Sequence, residues 1–104
     1  MNKHIAATLF LSVLSGPCLA ATSSVDQHNL SFDKTDMTVN KGDIVMFSNS
    51  DNTSHNILIN GEGISINGGL QQPGQSFSAP FIKSGTFQVS CAIHPKMKLT
   101  VHVQ

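Results

Sequence analysis

Cys91, His94 and Met97 lie together in the stretch Cys91-Ala92-Ile93-His94-Pro95-Lys96-Met97, each three residues from the next. The stretch offers a thiolate, an imidazole and a thioether, the donors that soft, redox-active copper prefers. A second imidazole, His55, stands far upstream in Asp51-Asn52-Thr53-Ser54-His55-Asn56. A fold that brings residue 91 back beside residue 55 completes a set of two histidines, one cysteine and a weak axial methionine. That set suits one-electron chemistry at a single copper ion.

Each of these residues also has a plainer reading. A lone cysteine in a core commonly serves as a small buried hydrophobe, and methionine fills gaps more often than it binds metal. The spacing argues for ligation, because packing alone gives no reason to gather three such donors in one short loop. A catalytic zinc site also uses Cys and His with one position open, and a Cys-His hydrolase would use the pair for nucleophilic catalysis. No general base or orienting acid stands near Cys91, no oxyanion-type glycine loop is present, and the chain is short for a substrate cleft. A copper carrier or sequestering protein would bind the same ion, but the chain has no His-x-His, His-rich or Met-rich tract. A metal-free adhesion sandwich is the reading that rests on fold analogy alone. The expectation is a protein that is not an enzyme, with His55, Cys91, His94 and Met97 as its metal ligands.

The loop must be held by something other than a helix. Cys91, His94 and Met97 would share a helical face, but Pro95 drives His94 out of the α region and has no N–H to donate. The segment therefore reads as a tight loop between strands at 86–90 and 99–103. Elsewhere the pattern is of short strands and turns. Met37-Thr38-Val39 and Ile44-Val45-Met46-Phe47 are separated by a turn at Asn40-Lys41-Gly42-Asp43. His55 to Ile59 is closed by Asn60-Gly61, and Ile64-Ser65-Ile66 by Asn67-Gly68-Gly69. Asn-Gly at such junctions is a strong hairpin signal. Gln72-Pro73-Gly74-Gln75 starts a further turn before the run Ser76 to Phe81. In the last run Leu99, Val101 and Val103 alternate with Thr100 and His102, which places the two sets on opposite faces. Met37 and Met46 fall in strand runs as packing residues, while His28 and His102 fall on solvated positions. The fold class expected is all-β, an antiparallel sandwich or barrel in a single domain.

Residues 1–20 read as a secretory signal, and residues 21–104 as the domain. Lys3 supplies a positive start, Ile5 to Leu14 an apolar run, and Gly16-Pro17-Cys18-Leu19-Ala20 a small-residue cleavage site. The run is too short to span a bilayer, so no membrane insertion is expected. Pro17 directly before Cys18 fits lipoprotein processing poorly. Export sharpens the meaning of Cys91, which is then left without a cysteine partner in an oxidising compartment. Removing Lys3 from the six basic residues leaves five against six acidic ones, a net charge of about −1, and there is no arginine. With no basic stripe and no stacking aromatics, nucleic-acid binding has no physical basis.

These residues together resemble the small cupredoxins, the type 1 blue copper proteins. The resemblance runs from Lys41-Gly42-Asp43 and Phe47-Ser48-Asn49 through Asp51 to His55-Asn56. It continues through Pro73-Gly74 and Gly85-Thr86-Phe87 to Cys91–Met97. The spacing Cys-x-x-His-x-x-Met is most similar to that of the amicyanins; plastocyanins are similar too, with a longer step from the second His to the Met. The resemblance implies a Greek-key β-sandwich holding one Cu(I)/Cu(II) ion through His55, Cys91 and His94, with Met97 axial. It also implies that Asn56 ties the two ligand segments together. The function implied is a periplasmic carrier, a monomer, that shuttles single electrons between redox partners such as a c-type cytochrome or a dehydrogenase. Ile93, Lys96, Phe87, Val89 and Ser90 depart from the amicyanin pattern without touching the four ligands. They lie where partners would dock, so the partner stays at the level of class.

Overall fold

The computed structural model describes residues 19–104; the expected signal segment, Cys18 included, falls almost wholly outside them. Nine strands form and the described residues contain no helix. They are β1 (Thr22–His28), β2 (Ser31–Phe32), β3 (Asp36–Val39), β4 (Ile44–Asn49), β5 (Ile57–Gly61), β6 (Ile64–Asn67), β7 (Ser76–Pro80), β8 (Gly85–Cys91) and β9 (Lys98–Val103). One sheet has the order β2-β1-β4-β7 and the other β3-β9-β8-β5-β6. The chain crosses repeatedly between the sheets and makes a Greek-key sandwich.

Period-two alternation decides which side chains meet between the sheets. Val45 and Phe47 from β4, Ile57 and Ile59 from β5, Phe87 and Val89 from β8, and Leu99, Val101 and Val103 from β9 are all buried. Burying one such side chain contributes roughly 1.5–3 kcal/mol, so the core is the main thing holding the sheets face to face. Its rings meet edge to face, Phe32 against Phe47 and Phe81 against Phe87 at 5.4 Å. Met37 packs on this core from its margin.

The sandwich is not antiparallel throughout. β1 runs parallel to β4, and β3 parallel to β9. The turn at residues 40–43 therefore does not close a hairpin; it carries the chain from β3 in one sheet to β4 in the other. The Asp43 carboxylate holds that crossing by accepting the N–H of Asn40 and of Ala21.

The expected Asn60-Gly61 turn is displaced by two residues. Both lie inside β5, and the reversal is made by Glu62 and Gly63, at φ 51° and 77°, the two-residue loop with left-handed backbone that suits hairpin twist. Gly61 serves a different need: a Cβ there would run into the Thr86 carbonyl and stand 2.9 Å from Phe87 Cα. At Asn67-Gly68-Gly69 there is no hairpin, because β6 is an edge strand and the chain leaves for the other sheet. The Pro73-Gly74 turn forms as expected, with Gln75 N–H bonded to Gln72 O and Gly74 at φ 87°.

Candidate metal centre

Cys91 closes β8 and pairs in register with Ile57 of β5, and that register returns residue 91 to residue 55. His55 sits two residues before Ile57, outside the regular ladder. It is pinned there by exchanging both backbone bonds with Gln71, at 2.9 and 2.7 Å. The Cys91 Sγ lies 3.6 Å from His55 Nδ1. With metal–ligand bonds of about 2.0 Å to nitrogen and about 2.3 Å to sulfur, two donors on one tetrahedral or trigonal ion stand roughly 3.5–3.8 Å apart. The observed spacing is thus one that a single metal ion spans.

The segment 92–97 is a loop, as the Pro95 argument requires. Its backbone turns at Pro95-Lys96, with Met97 N–H bonded to His94 O at 3.0 Å. The turn sets the His94 ring beside His55, centroids 5.0 Å apart and edge to face. Met97 is buried, and it shares with His94, Leu30, Ile93 and Pro95 the wall of one surface cleft. All four expected ligands thus come to the same end of the sandwich. They do so unequally: His55 and Cys91 touch, whereas His94 Nε2 turns toward the Ser54 carbonyl at 3.3 Å. Among the described residues, no three His, Cys, Asp or Glu side chains converge on one point. A centre here would draw on the Met97 thioether as well as on His55, Cys91 and His94.

Solvent reaches these donors to different degrees. His55, Cys91 and Met97 are 0–2 % exposed; His94 is half-buried. Of the other two described histidines, His28 is exposed, and His102 pairs with Asp36 at 3.0 Å on the outer face.

A polar frame supports His55, and most of it went unseen in the sequence. Asn49 occupies an inward position at the end of β4, where its amide donates to Thr53 O and Gln71 O and accepts the Asp51 N–H. The Gln71 side chain donates to Phe47 O and Gln75 O and accepts from Gln27 at 2.8 Å. The signal available was a polar residue in the inward register of a strand, as with Gln27 after Val25 and Asn49 after Phe47. Gln71 lies in a loop and carries no such mark.

Asp51 was legible only as a turn residue. Its carboxylate meets His55 Nε2 at 3.0 Å and accepts the N–H groups of Leu30 and Asn52. These partners, the Leu30 N–H first, hold its pKa down at about 2 despite burial, which acts the other way. Asn56 does tie the segments together, through its backbone rather than its side chain. Its N–H points at Cys91 Sγ at 3.3 Å and its carbonyl accepts from Ala92 N–H. The Asn56 amide reaches Asn67 instead.

A sequence-family model described as copper-binding proteins of the plastocyanin/azurin family matches residues 19–104. The chain belongs to that family, and copper is its cofactor. A plastocyanin from Scenedesmus fuscus is 32 % identical over 90 residues, covering 76 % of this chain and 92 % of that protein. In fold the chain is similar to an oxidised amicyanin mutant, with a TM-score of 0.74 at 24 % identity, covering 81 % of this chain and 83 % of that one. It is also similar to a purple cupredoxin from Nitrosopumilus maritimus, with a TM-score of 0.70 at 20 % identity, covering 79 % and 99 %. As a member of the cupredoxins the chain falls among copper-containing electron-transfer proteins.

Proposed function

We propose that this protein is an exported, periplasmic type 1 copper protein that carries single electrons between larger redox partners, and that His55, Cys91, His94 and Met97 would hold the copper. The observation that carries the reading is the buried Cys91 Sγ at 3.6 Å from His55 Nδ1, at the register where β8 meets β5. When bound, the ion supplies a Cu(I)/Cu(II) couple that takes up or gives up one electron. The chain's part is to hold its donors so that neither oxidation state demands a rearrangement. β8, the Gln71 bridge and the 94–97 turn fix all four from three directions. Burial of His55, Cys91 and Met97 keeps water from the sulfur atoms. His94 alone of the four meets solvent, which gives electrons a short route in and out. A carrier that hands copper to another protein would need its donors accessible, and the burial of three of them favours electron transfer.

The face around His94 fits brief encounters. Leu30 and Ile93 are 51 % and 46 % exposed there, Pro95 is exposed beside them, and Lys96 and Lys98 are exposed at the rim. Such rim charges steer an acidic partner and raise the association rate, and salt screens them. The test is electron exchange between the copper-loaded protein and an acidic c-type cytochrome, followed by stopped flow across ionic strength. The expected rate falls with salt, and Lys96→Glu lowers it several-fold at low salt. A copper-loaded protein that exchanges no electrons would contradict the carrier role, and a salt-independent rate untouched by Lys96→Glu would contradict the docking face.

A further inference from the structure

The two histidines of the site differ in what lies behind them. His94 Nε2 faces a neutral carbonyl at 3.3 Å, whereas His55 Nε2 faces a carboxylate oxygen of Asp51 at 3.0 Å. We propose that Asp51 is the positioning residue of the centre, fixing the tautomer of His55 and, through its charge, setting the copper reduction potential low. The inference rests on the ligand assignment above and concerns how that site is tuned.

An ionised carboxylate only accepts hydrogen bonds, so the ring nitrogen facing it carries the proton. Nε2–H therefore donates to Asp51 Oδ2, and Nδ1 is left with its lone pair on the side of Cys91, where the metal is needed. No other described group approaches His55 Nε2 within hydrogen-bonding distance, so no neutral acceptor competes for that proton. His55 is fully buried and the Asp51 side chain nearly so, at 0 and 7 % exposure, which leaves little water to screen the pair. A carboxylate behind a ligating imidazole raises the basicity of the ligand. Added negative charge near the ion favours Cu(II), the more highly charged state, over Cu(I), and lowers the potential.

Asp51 is itself held rigidly. Its Oδ2 also accepts the N–H of Leu30 at 2.9 Å, its Oδ1 accepts from Asn52, and its own N–H donates to Asn49 Oδ1. The Leu30 bond has a second consequence. Asn29 and Leu30 make the β1–β2 turn with both residues left-handed, at φ 53° and 58°, a conformation that strains a residue with a Cβ such as leucine. The carboxylate offsets that strain, so one oxygen atom holds both the ligand histidine and the turn that presents Leu30 beside His94.

Asp51→Asn removes the charge while the amide oxygen can still accept from His55 Nε2–H and Leu30 N–H, giving up only the Asn52 contact at 3.2 Å. With the thiolate-to-copper band retained, the variant is expected to show an affinity ratio of Cu(II) over Cu(I) reduced about tenfold, a potential higher by about 59 mV for one electron. Asp51→Glu, which restores the charge, should fall closer to the native protein. Asp43→Asn is the control, since Asp43 caps the opposite end of β4 and its loss should leave the potential alone. A native-like band in Asp51→Asn with a potential no further shifted than in the control would overturn the inference. A native protein with no thiolate band at all would overturn the ligand assignment instead, so the two failures are distinguishable. Should Asp51→Asn not fold, the long-range nitrogen–proton NMR spectrum of the native metal-free protein decides. A His55 protonated at Nε2 with a slowly exchanging proton supports the inference, and one protonated at Nδ1 overturns it.

Discussion

Met97 is 2 % exposed, and a methionine so buried has two uses, filling space or reaching a metal with its thioether. Substitution distinguishes them. Met97→Gln should keep copper and lower its reduction potential, because an oxygen donor favours Cu(II) more than a thioether does; an unchanged potential would make Met97 a packing residue. The carboxylates carry a second, separate expectation. Asp43 has its pKa lowered from the usual 3.8 by the N–H of Ala21 first and of Asn40 second. A folded pKa below the unfolded one stabilises the fold above about pH 4, and that stabilisation is lost as the pH falls. In chelator-treated protein the Tm of Asp43→Asn should accordingly fall less steeply between about pH 5 and pH 3 than that of the native chain; equal slopes would contradict the capping role. Residue chemistry was the most legible layer of this sequence. Soft donors at close spacing announce themselves, so His55, Cys91, His94 and Met97 could be named as candidate ligands before any fold was known. The network joining the amides of Asn49, Gln71 and Gln27 could not, since inward polar register marks Asn49 and Gln27 singly but an amide network has no fixed spacing. Nor could Asp51, whose role depends on where its oxygen points.

At the scale of elements, alternation told faces but not neighbours. The last strand shows the success: Leu99, Val101 and Val103 are buried as their pattern demands. β1 shows the limit. In Thr22–His28 only Val25 is an apolar inward residue, with Gln27 taking the next inward place, so alternation does not mark the segment although it forms a central strand. The parallel pairs, β1 with β4 and β3 with β9, join segments distant in sequence, and no local pattern encodes such pairing. Gly61 was read as a turn residue because of the Asn before it, yet it is a site of close approach. This distinction is measurable. Gly61→Ala must push against the backbone of β8 and should cost more than about 2 kcal/mol. Gly63→Ala has nothing within 4 Å and only its φ of 77° to oppose it, and should cost about 1 kcal/mol. Denaturant unfolding of the two variants checks the order, and equal costs would refute the close-approach reading.

The whole molecule is a sandwich whose rigid strands converge on one end and whose core is polar there and apolar elsewhere. Val25, Val45, Phe47, Phe87 and Val101 fill the middle, while Gln27, Asn49, Asp51, His55 and Gln71 gather under the ligand loop. Buried polar groups are retained when each finds a partner, and nearly all of these do; Gln27 Oε1 is the exception among the described residues. Placing costly buried amides, nearly all of them bonded, beneath one histidine is sensible only if the position of that histidine matters. Copper bound to it should also stabilise the fold, since a ligand specific to the native state adds about 4 kcal/mol at a thousand times its Kd. The account stands on Cys91 being the copper thiolate. Its most direct measurement is the visible absorption spectrum of the chelator-stripped protein titrated with Cu(II). One equivalent should produce an intense thiolate-to-copper band in the native protein and none in Cys91→Ser. Tight binding of Zn(II) with no visible band on adding Cu(II), or the same band in Cys91→Ser, would contradict it.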